Sequence, residues 1–500
     1  MSIAKTSDSH PIRVDWLPTP FPGRIGLTFA PGKKDPSAAT GAWDRDLRAD
    51  LQRLNVYYGA SHLVSLLEPD EFDLLQIANL TPIADELGLS VRRFPIPDGT
   101  APRDVAAVKQ VVAEIIHWAQ VGESVVIHCR GGLGRAGTIG GCVLRMAGHD
   151  PQVVFAELNA ARGPNCPETS AQRAFVQAFP AAPTLAERVA GSTLGAAIGD
   201  ALGHPTEFSS YEQLSDRYGA GGVKTFELWW DRDGKRFAPY TDDTQMAEIV
   251  FRALVDFGTA ESSFEAAMAA MATGFASWRD HPQGGHRAPG NSCMAGAASL
   301  ARGVPWREAG SVEAGGCGSV MRTYPFGLLM FAEPLRAERW AVEHSRMTHG
   351  APIALAACAA MAVGMASETA GVSGELALEA MVAGAAHYDL PTARMCEQAV
   401  VDARNGTDAV EVLRRLQGWA ADEAIAAAMF VVARHPDDIR AALLEGANAS
   451  GDSDSIATLA GALLGSRHGI QALPVDWIQN VERSEELLAL AAHAVQLIDV

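Results

Sequence analysis

The sequence has few cysteines and few basic residues for its length. Its 500 residues include seven cysteines, scattered without paired spacing, which argues against a disulfide framework and favours a reducing compartment. Forty lysines and arginines stand against 59 acidic residues, giving a net charge of −19. That balance argues against nucleic-acid binding, which requires basic patches.

Long apolar runs and a secretion signal are also missing. Residues 1–8 lack the apolar core of a signal peptide. The most apolar stretch, 351–366, is rich in alanine, contains Pro352 and is shorter than a membrane span. We therefore expect a cytoplasmic protein that does not bind membranes, and we interpret 351–366 as a buried helix.

The two parts of the chain differ in pattern, and the length suffices for two or more domains. The first third alternates strand-like segments with helical ones, which predicts an α/β sandwich with a parallel sheet. Its strands are expected at 24–29, 56–58 and 125–127, and its helices at 44–54 and 104–120. Beyond the proline-bearing segment 179–184, alanine-rich helical periodicity predicts an all-α part, with helices at 376–386, 392–403 and 420–434. We predict a multidomain chain with domains 1–183 and 184–500.

One short loop combines a nucleophile with the features of an anion site. Five residues, three of them glycine, separate Cys129 from Arg135. An apolar run before the loop predicts a buried strand, and 138–146 predict a helix. The loop therefore lies at a helix N-terminus, where backbone N–H groups and the helix dipole bind anions.

The chemistry of this loop suits phosphoryl transfer. The same positive field should favour the thiolate of Cys129, and Arg135 can hold a phosphate by two parallel hydrogen bonds. A nucleophile, a backbone cradle and a bidentate cation are the parts required for a cysteinyl-phosphate intermediate. The alternative for Cys129 is a buried structural thiol. The predicted phosphate-binding cradle consists of Arg130, Gly131, Gly132, Leu133 and Gly134.

This arrangement resembles the cysteine-dependent protein phosphatases, in particular the compact dual-specificity group, over roughly residues 20 to 180. The resemblance implies a general acid on a separate loop, and Asp98, 31 residues before Cys129, matches that position. An ordinary Asp-Gly turn is the alternative for Asp98. The family usually places Ser or Thr directly after the arginine, where its hydroxyl helps the thiolate leave. Here that residue is Ala136, so phosphoenzyme hydrolysis is expected to be slow unless Thr138 substitutes.

Two acidic clusters lie far apart in the second part of the chain. Each combines carboxylates with hydroxyls at the start of an apolar helical run, 240–244 in one case and 451–455 in the other. Hard divalent cations take oxygen ligands of this kind, and two such sets facing each other would hold two metals. Each cluster alone is equally typical of a solvated helix cap. The candidate metal ligands are Thr241, Asp242, Asp243, Asp452, Asp454 and Ser455.

Together with the small, apolar segment 195–203, which leads to Glu207, these clusters resemble the ADP-ribosylglycohydrolase family over about residues 187 to 500. The resemblance implies an all-helical domain, two divalent ions (Mg²⁺ or Mn²⁺) and hydrolysis of an ADP-ribosyl bond. It implies an acidic gating or catalytic role for Glu207. Residues 241–244 match the family signature without change, whereas Ser455 replaces a threonine. The segment 316–322 resembles the family's ribose-facing loop, so the implied substrate-binding residues are Gly318, Ser319 and His349, the last of which could equally be a core residue.

These features predict a bifunctional hydrolase, with an N-terminal phosphatase and a C-terminal ADP-ribosylglycohydrolase. The expected partners are a phosphorylated substrate and an ADP-ribosylated protein or an ADP-ribose-containing small molecule. Ala136 favours the alternative of an ADP-ribose-binding module with a substrate-trapping phosphatase fold. A third interpretation keeps only the glycohydrolase active and treats the N-terminal part as a phosphate sensor.

Overall fold

The structure is a computed structural model that describes residues 4–36, 38, 41–232 and 234–498. Residues 1–3, the first part of the segment 1–8 that was compared with a signal peptide, lie outside the described residues. The chain divides into two compact units, Met1–Ala182 and Pro183–Val500.

The alternating pattern of the first unit builds a five-stranded, mainly parallel sheet and a separate two-stranded one. The strands of the unit are β1 (Asp15–Trp16), β2 (Ile25–Phe29), β3 (Lys34–Asp35), β4 (Trp43–Asp44), β5 (Ala60–Ser65), β6 (Ser90–Arg93) and β7 (Ser124–Cys129). The sheet order is β1-β2-β7-β5-β6, with β1 antiparallel to β2 and the other pairs parallel, while β3 and β4 form a separate antiparallel pair. The predicted α/β sandwich with a parallel sheet is confirmed.

Helices cover both faces of this sheet. Successive side chains of a strand point to opposite sides, so apolar residues on both faces of the central strands are buried in two separate cores. Along β7, Val125 and Ile127 enter one apolar core while Val126 enters the other. Strand β7 lies at the centre of the sheet, so its carboxyl end opens between two flanking parallel strands. The helices are α1 (Leu47–Gln52), α2 (Pro69–Leu74), α3 (Leu80–Glu86), α4 (Val105–Gln120), α5 (Gly134–Met146), α6 (Pro151–Arg162) and α7 (Ser170–Ala178).

One predicted strand is wrong. Residues 56–58 were expected to be extended, but Arg53–Tyr57 is a π-helical continuation of α1, and β5 begins only at Ala60. The side chains of Val56 and Tyr57 are 73% and 66% exposed. Residues with high β-propensity therefore lie on a solvent-facing turn, where packing does not select a strand.

The second unit is mostly helical, as predicted, with one small hairpin. Its two strands are β8 (Trp230–Arg232) and β9 (Lys235–Phe237). Its helices are α8 (Leu185–Gly203), α9 (Tyr211–Tyr218), α10 (Asp242–Phe257), α11 (Phe264–Asp280), α12 (Asn291–Ala301), α13 (Tyr324–Leu329), α14 (Pro334–Ser345), α15 (Pro352–Thr369), α16 (Gly374–Ala386), α17 (Leu390–Arg404), α18 (Ala409–Arg415), α19 (Ala421–Arg434), α20 (Ile439–Ala447), α21 (Ser453–His468), α22 (Val475–Asn480) and α23 (Ser484–Ile498).

Helices α8 and α21 pack with their backbones almost touching. A Cβ placed on Gly195 would lie 2.2 Å from the Gly461 carbonyl oxygen, and one placed on Gly203 would lie 2.4 Å from Cα of Asp454. Only glycine permits such an approach. The small-residue stripe of α8 therefore brings the C-terminal end of α8 against the N-terminal end of α21, where the second acidic cluster lies.

Helix α15 is the predicted buried helix of residues 351–366. Among the described residues it alone is long and apolar enough to cross a membrane by length and composition, and 83% of its most apolar window is buried inside the protein. Its alanine side chains pack in the apolar core of the second unit, so it is a core helix of this fold.

Candidate active sites

Cys129 lies at the carboxyl end of β7, at the bottom of the predicted anion loop. Its side chain is 3% exposed, and the Gly132 N–H donates a hydrogen bond of 3.2 Å to its sulfur. Helix α5 begins directly after the loop, at Gly134, so its first N–H groups face this region. Gly132 has a φ of +76°, and a Cβ there would lie 2.4 Å from the Thr28 carbonyl oxygen. This position therefore requires glycine.

The carbonyl groups of the loop are held on its outer side by basic groups from distant segments. Arg162 donates to the carbonyls of Gly131 (3.1 Å) and Gly132 (2.9 Å), and it forms an ion pair with Asp15. Lys33 donates to the Arg130 carbonyl at 3.3 Å. Anchoring the carbonyls outward leaves the N–H groups free to converge on an anion.

Arg135 is buried and held in place by a carboxylate that the sequence pattern did not reveal. Glu71 in α2 accepts from both terminal nitrogens, Nη1 at 2.5 Å and Nη2 at 2.8 Å. The carbonyl of Ile96 accepts from Nη1 at 3.0 Å. Among the described residues, Nε of Arg135 is buried without a hydrogen-bond partner, so its N–H group is unsatisfied in this structure.

Asp98 reaches the same arginine from its own loop. Its carboxylate lies 2.9 Å from Nη2 of Arg135 and is 59% exposed. The Gly99 N–H donates to Asp98 at 3.1 Å, as expected of an Asp-Gly turn. The structure thus brings the three predicted residues Cys129, Arg135 and Asp98 to one end of β7.

Two other side chains of the loop region have structural partners. Arg130 forms an ion pair of 2.8 Å with Asp35, so its backbone rather than its guanidinium belongs to the loop. Ala136 is fully buried, and the Thr138 hydroxyl donates to the Gly134 carbonyl one turn earlier in α5, at 2.9 Å. The nearest hydroxyl to Ala136 is therefore already engaged with its own helix.

In the second unit, the two acidic clusters meet. The Ser455 hydroxyl donates to the carboxylate of Asp243 at 2.9 Å, although 212 residues separate them. Asp452 and Asp454 lie at the N-terminal end of α21, and Asp242 and Asp243 form the first turn of α10. All four carboxylates are buried, with at most 5% exposure.

Asp200 in α8 holds the first cluster in place. Its carboxylate accepts from the N–H of Thr241 (2.8 Å), from the N–H of Thr244 (3.0 Å) and from the Thr244 hydroxyl (2.6 Å). Thr241 is the N-cap of α10, and its hydroxyl accepts from the Asp243 N–H at 3.3 Å. Burial, with the charge of Asp454, raises the pKa of Asp200 to about 7.

The carboxyl groups of this site repel one another in the absence of a cation. Burial first, and the charges of neighbouring carboxylates second, raise the pKa of Asp242 and Asp243 well above the usual range and that of Glu207 to about 11. The buried Arg322 acts in the opposite direction on Asp242, but burial and the neighbouring carboxylates outweigh it. A buried set of carboxylate and hydroxyl oxygens fits divalent cations.

Glu207 follows α8 in a tight turn tied to the second cluster. The Thr206 hydroxyl lies 3.0 Å from the Ser453 hydroxyl and 2.7 Å from the Gly203 carbonyl. Oxygens of Glu207 and Asp454 and a ring nitrogen of His204 lie within 4.8 Å of one another. Sequence reasoning missed His204, although it follows Asp200 by one helical turn.

The predicted substrate-binding residues also come together. Arg322 is fully buried and donates to the Gly318 carbonyl (2.8 Å) and to the Thr348 hydroxyl (2.7 Å). The Ser345 hydroxyl lies 2.8 Å from the Ser319 hydroxyl, and a Cβ on Gly318 would lie 3.1 Å from the His349 ring. Burial, with the charge of Arg322, lowers the pKa of His349 to about 3, so this ring is neutral.

Cys317 connects the glycine loop to the acidic clusters. Its sulfur donates to the carboxylate of Asp452 at 2.7 Å and lies 3.8 Å from the Ser455 hydroxyl. Burial, with the charges of Asp452 and Asp243, raises the pKa of this thiol well above its ordinary value. Gly318 and Ser319 therefore lie on a loop that borders the acidic clusters, and His349, from the segment that follows α14, packs against Gly318.

Comparison with known proteins fits this geometry. Residues 181–500 match the family model described as ADP-ribosylglycohydrolase. The chain belongs to the ADP-ribosylglycohydrolase family. Members of this family typically depend on two metal ions. Residues 44–180 match the model of the Swiss Army Knife protein, DSP-PTPase phosphatase domain, so this ADP-ribosylglycohydrolase carries an N-terminal dual-specificity-type phosphatase domain, and both domains belong to hydrolase families.

Individual relatives match one domain each. The second domain of this ADP-ribosylglycohydrolase is similar to the ADP-ribosyl-[dinitrogen reductase] glycohydrolase of Rhodospirillum rubrum, 25% identical over 307 residues that cover 61% of this chain and 93% of the relative. It is also similar to the ADP-ribosylarginine hydrolase Tri1 of Pseudomonas putida strain GB-1, 27% identical over 315 residues, 61% of this chain and 77% of the relative. The first domain is similar to cyclin-dependent kinase inhibitor 3 of Sus scrofa, 27% identical over 177 residues, 34% of this chain and 80% of the relative.

Proposed function

We propose that this chain is a bifunctional hydrolase, in which a cysteine-dependent phosphatase is joined to a dimetal glycohydrolase that cleaves an ADP-ribosyl bond. The observation that carries the second activity is the hydrogen bond of 2.9 Å between Ser455 and Asp243, one residue from each oxygen-rich cluster, which supports a shared site. The first activity is supported by the convergence of Cys129, Arg135 and Asp98.

The phosphatase step uses Cys129 as the nucleophile. Its thiolate attacks the phosphorus atom, an S–P bond forms, and the P–O bond to the leaving group breaks while Asp98 donates a proton to the leaving oxygen. Water then attacks the cysteinyl-phosphate, Asp98 takes a proton from that water, and the S–P bond breaks to release phosphate. The backbone N–H groups of the loop and Arg135 stabilise the negative charge throughout.

Phosphate and Asp98 compete for one edge of Arg135. Glu71 occupies the edge of the guanidinium formed by Nη1 and Nη2. The other edge is formed by Nε, which has no partner, and by the second N–H group of Nη2, which also pairs with Asp98. A phosphate that binds both nitrogens displaces the Asp98 carboxylate from Nη2. The displaced, exposed Asp98 carboxylate can take up a proton from solvent and is then able to donate it to the leaving oxygen.

The glycohydrolase site is formed from oxygen ligands of two segments. Thr241, Asp242 and Asp243 precede or begin α10, and Asp452, Asp454 and Ser455 precede or begin α21. Two divalent ions held there, Mg²⁺ or Mn²⁺, would supply Lewis-acid stabilisation of substrate oxygens. Glu207 borders the cluster and is the carboxylate that we assign to accept the proton of the attacking water.

The glycine loop and His349 are assigned to substrate positioning. Gly318 and Ser319 are fixed by Arg322 and Ser345, so the loop presents a rigid backbone beside the clusters. The relative named ADP-ribosylarginine hydrolase favours an N-glycosidic bond to arginine as the substrate linkage. We further propose an ADP-ribosylated protein and a phosphorylated substrate as partners, and a cytoplasmic location, which the seven free thiols support.

The experiment measures both activities on the same full-length preparations. We expect wild type to hydrolyse an aryl phosphate and, with Mg²⁺ or Mn²⁺, to release ADP-ribose from ADP-ribosylated arginine. Cys129→Ser should abolish only the first activity, and Asp243→Ala only the second. Undiminished aryl-phosphate turnover in Cys129→Ser would refute the phosphatase assignment, and ADP-ribose release that survives chelation would refute the dimetal assignment.

A second candidate function is an ADP-ribose-binding module with a substrate-trapping or phosphate-sensing phosphatase fold. The buried Ala136 and the engaged Thr138 hydroxyl favour it, because no hydroxyl lies ready to help the thiolate leave. Stoichiometric release of one leaving group without turnover would support trapping. Steady turnover would support the enzyme.

A further inference from the structure

His204 lies against two carboxylates of the proposed metal site. One of its ring nitrogens is within 4.8 Å of carboxylate oxygens of both Glu207 and Asp454. Its Nδ1 is inaccessible to solvent and has no hydrogen-bond partner among the described residues. A buried ring nitrogen without a hydrogen-bond partner requires one, and His204 is the nitrogen-bearing side chain of this carboxylate group.

Backbone and hydroxyl contacts determine this position. His204 caps the C-terminal end of α8, and its N–H donates to the Asp200 carbonyl at 2.8 Å. The Ser453 hydroxyl donates to the Gly203 carbonyl at 3.1 Å, so the residues that precede His204 and Asp454 are joined directly. The backbone of Gly203 also lies directly against that of Asp454, so His204 is held close to the second acidic cluster.

A tryptophan from a later segment of the same domain also contacts the imidazole. The Trp229 ring lies 5.8 Å from the His204 ring, centroid to centroid, at an interplanar angle of 35°. The half-buried ring of His204 therefore has an aromatic neighbour as well as the carboxylates of Glu207 and Asp454.

We propose that His204 is a nitrogen ligand of the dimetal site, together with Asp454 and one oxygen of Glu207. The inference rests on the proposed glycohydrolase function and adds a ligand of a different chemical class to it. The second oxygen of Glu207 remains available to accept the proton of the attacking water. An imidazole among oxygen ligands favours transition ions such as Mn²⁺ over Mg²⁺, since Mg²⁺ selects oxygen and imidazole suits the first-row metals.

The test uses the full-length chain without a histidine tag, loaded with Mn²⁺ alone and studied by pulsed electron paramagnetic resonance. We expect a coupling from a directly bound nitrogen in wild type. In wild-type protein labelled with nitrogen-15 histidine, the nitrogen-14 coupling should be replaced by that of nitrogen-15. This labelling identifies a histidine ligand without any substitution that could disturb folding.

Substitution then identifies which histidine is bound. His204→Gln should lose the coupling and weaken Mn²⁺ binding at least about tenfold, the lower end of what loss of even an outer-shell partner costs, while Mg²⁺ binding changes less. His281→Gln, which alters an exposed histidine of the same unit, is the control and should keep both.

Three results would contradict the assignment of His204 as a metal ligand. They also distinguish a failure of that assignment from a failure of the proposed dimetal function. Bound Mn²⁺ without nitrogen coupling in wild type overturns the His204 ligand and leaves the dimetal function standing. A coupling that survives in His204→Gln also overturns it and indicates another histidine. A wild type that binds neither Mn²⁺ nor Mg²⁺ overturns the dimetal function and this inference together.

Discussion

The Ser455 hydroxyl donates a 2.9 Å hydrogen bond to Asp243, a residue 212 positions earlier in the chain. Both residues lie in the first turns of buried helices, and neither helix has a basic side chain at this point. The folded domain therefore concentrates negative charge from two remote segments in one buried volume. The free energy required to bring these carboxylates together is offset when cations bind.

The clustering of these carboxylates predicts that Asp243→Asn changes the melting temperature in opposite directions, relative to wild type, without and with metal. Asp243→Asn replaces a buried carboxyl group, whose ionisation is opposed by burial and by the neighbouring carboxylates, with a neutral amide, so it should raise the melting temperature of the metal-free protein. It should also abolish most of the stabilisation by Mn²⁺ or Mg²⁺, which for wild type reaches about 2.7 kcal/mol at a metal concentration of 100 Kd. Thermal melting in chelator and in metal measures both effects.

Asp256→Asn is the matched control for this experiment, since Asp256 is an exposed carboxylate on the same helix α10. Its melting temperature and metal response should equal those of wild type. A wild type without any metal-induced shift would contradict the prediction.

Ala136 predicts slow hydrolysis of the phosphoenzyme. The Thr138 hydroxyl is bonded to the Gly134 carbonyl, so a burst of leaving group should precede slow steady turnover of an aryl phosphate. Ala136→Ser should raise the steady rate more than the burst rate, because the new hydroxyl acts only when the thiolate leaves. Ala147→Ser, at the opposite end of α5, is the control. Wild-type kinetics without a burst, together with no gain in Ala136→Ser, would show that hydrolysis is not limiting.

Arg162 supports the anion loop from 30 residues away. Its bonds to the carbonyls of Gly131 and Gly132 keep these groups outside the anion site. Arg162→Met should lower kcat/KM for an aryl phosphate about 10- to 100-fold, as expected for the loss of a charged hydrogen bond worth about 1.5–3 kcal/mol. Arg173→Met, on the following helix α7, should have little effect, and equal losses in both variants would argue for a general loss of stability.

Sequence patterns predicted the parts of each site that are contiguous. The loop from Cys129 to Arg135 was recognisable because the chemistry and the strand–loop–helix context share one segment. The clusters around Asp243 and Asp454 could be paired only through family resemblance. In each case a short run of residues carries both the ligand types and the local backbone.

The supporting residues were not predictable from the same patterns. Glu71, Lys33 and Arg162 look like ordinary surface charges in sequence, and only the tertiary fold brings them to the loop. Asp200 offered a weak signal, since it is the one charged residue in an otherwise small and apolar stretch of α8. The strand expected at 56–58 failed because its β-forming side chains face solvent.

Lys33 predicts a pH dependence of stability. Its side chain is 5% exposed, and burial lowers its pKa from 10.5 to about 8. The unfolded chain therefore binds more protons than the folded one between these values, so the Lys33 contribution to the free energy of unfolding rises with pH across that window, by on the order of 3 kcal/mol.

Lys33→Met should remove this rise. Urea unfolding of the full-length chain at pH 7.5 and pH 10 should show that Lys33→Met stabilises the first unit relative to wild type at the lower pH and much less at the higher one. Lys34→Met, which alters the adjacent and 44%-exposed lysine, is the control and should show no such change. A pH-independent difference between Lys33→Met and wild type would contradict the low pKa.

Asp98 predicts opposite changes in phosphate binding and in turnover. In the structure its carboxylate occupies Nη2 of Arg135, one of the two nitrogens that a phosphate needs. Asp98→Asn removes this competing charge, so inorganic phosphate should inhibit the variant at lower concentration than it inhibits wild type. The same substitution removes the proton donor, so kcat for an aryl phosphate should fall about 100-fold or more.

Asp104→Asn is the control for this experiment. Asp104 is the N-cap of α4 and does not contact Arg135, so phosphate should inhibit this variant as it inhibits wild type. Weaker inhibition of Asp98→Asn by phosphate would show that Asp98 and the anion do not share this edge of Arg135.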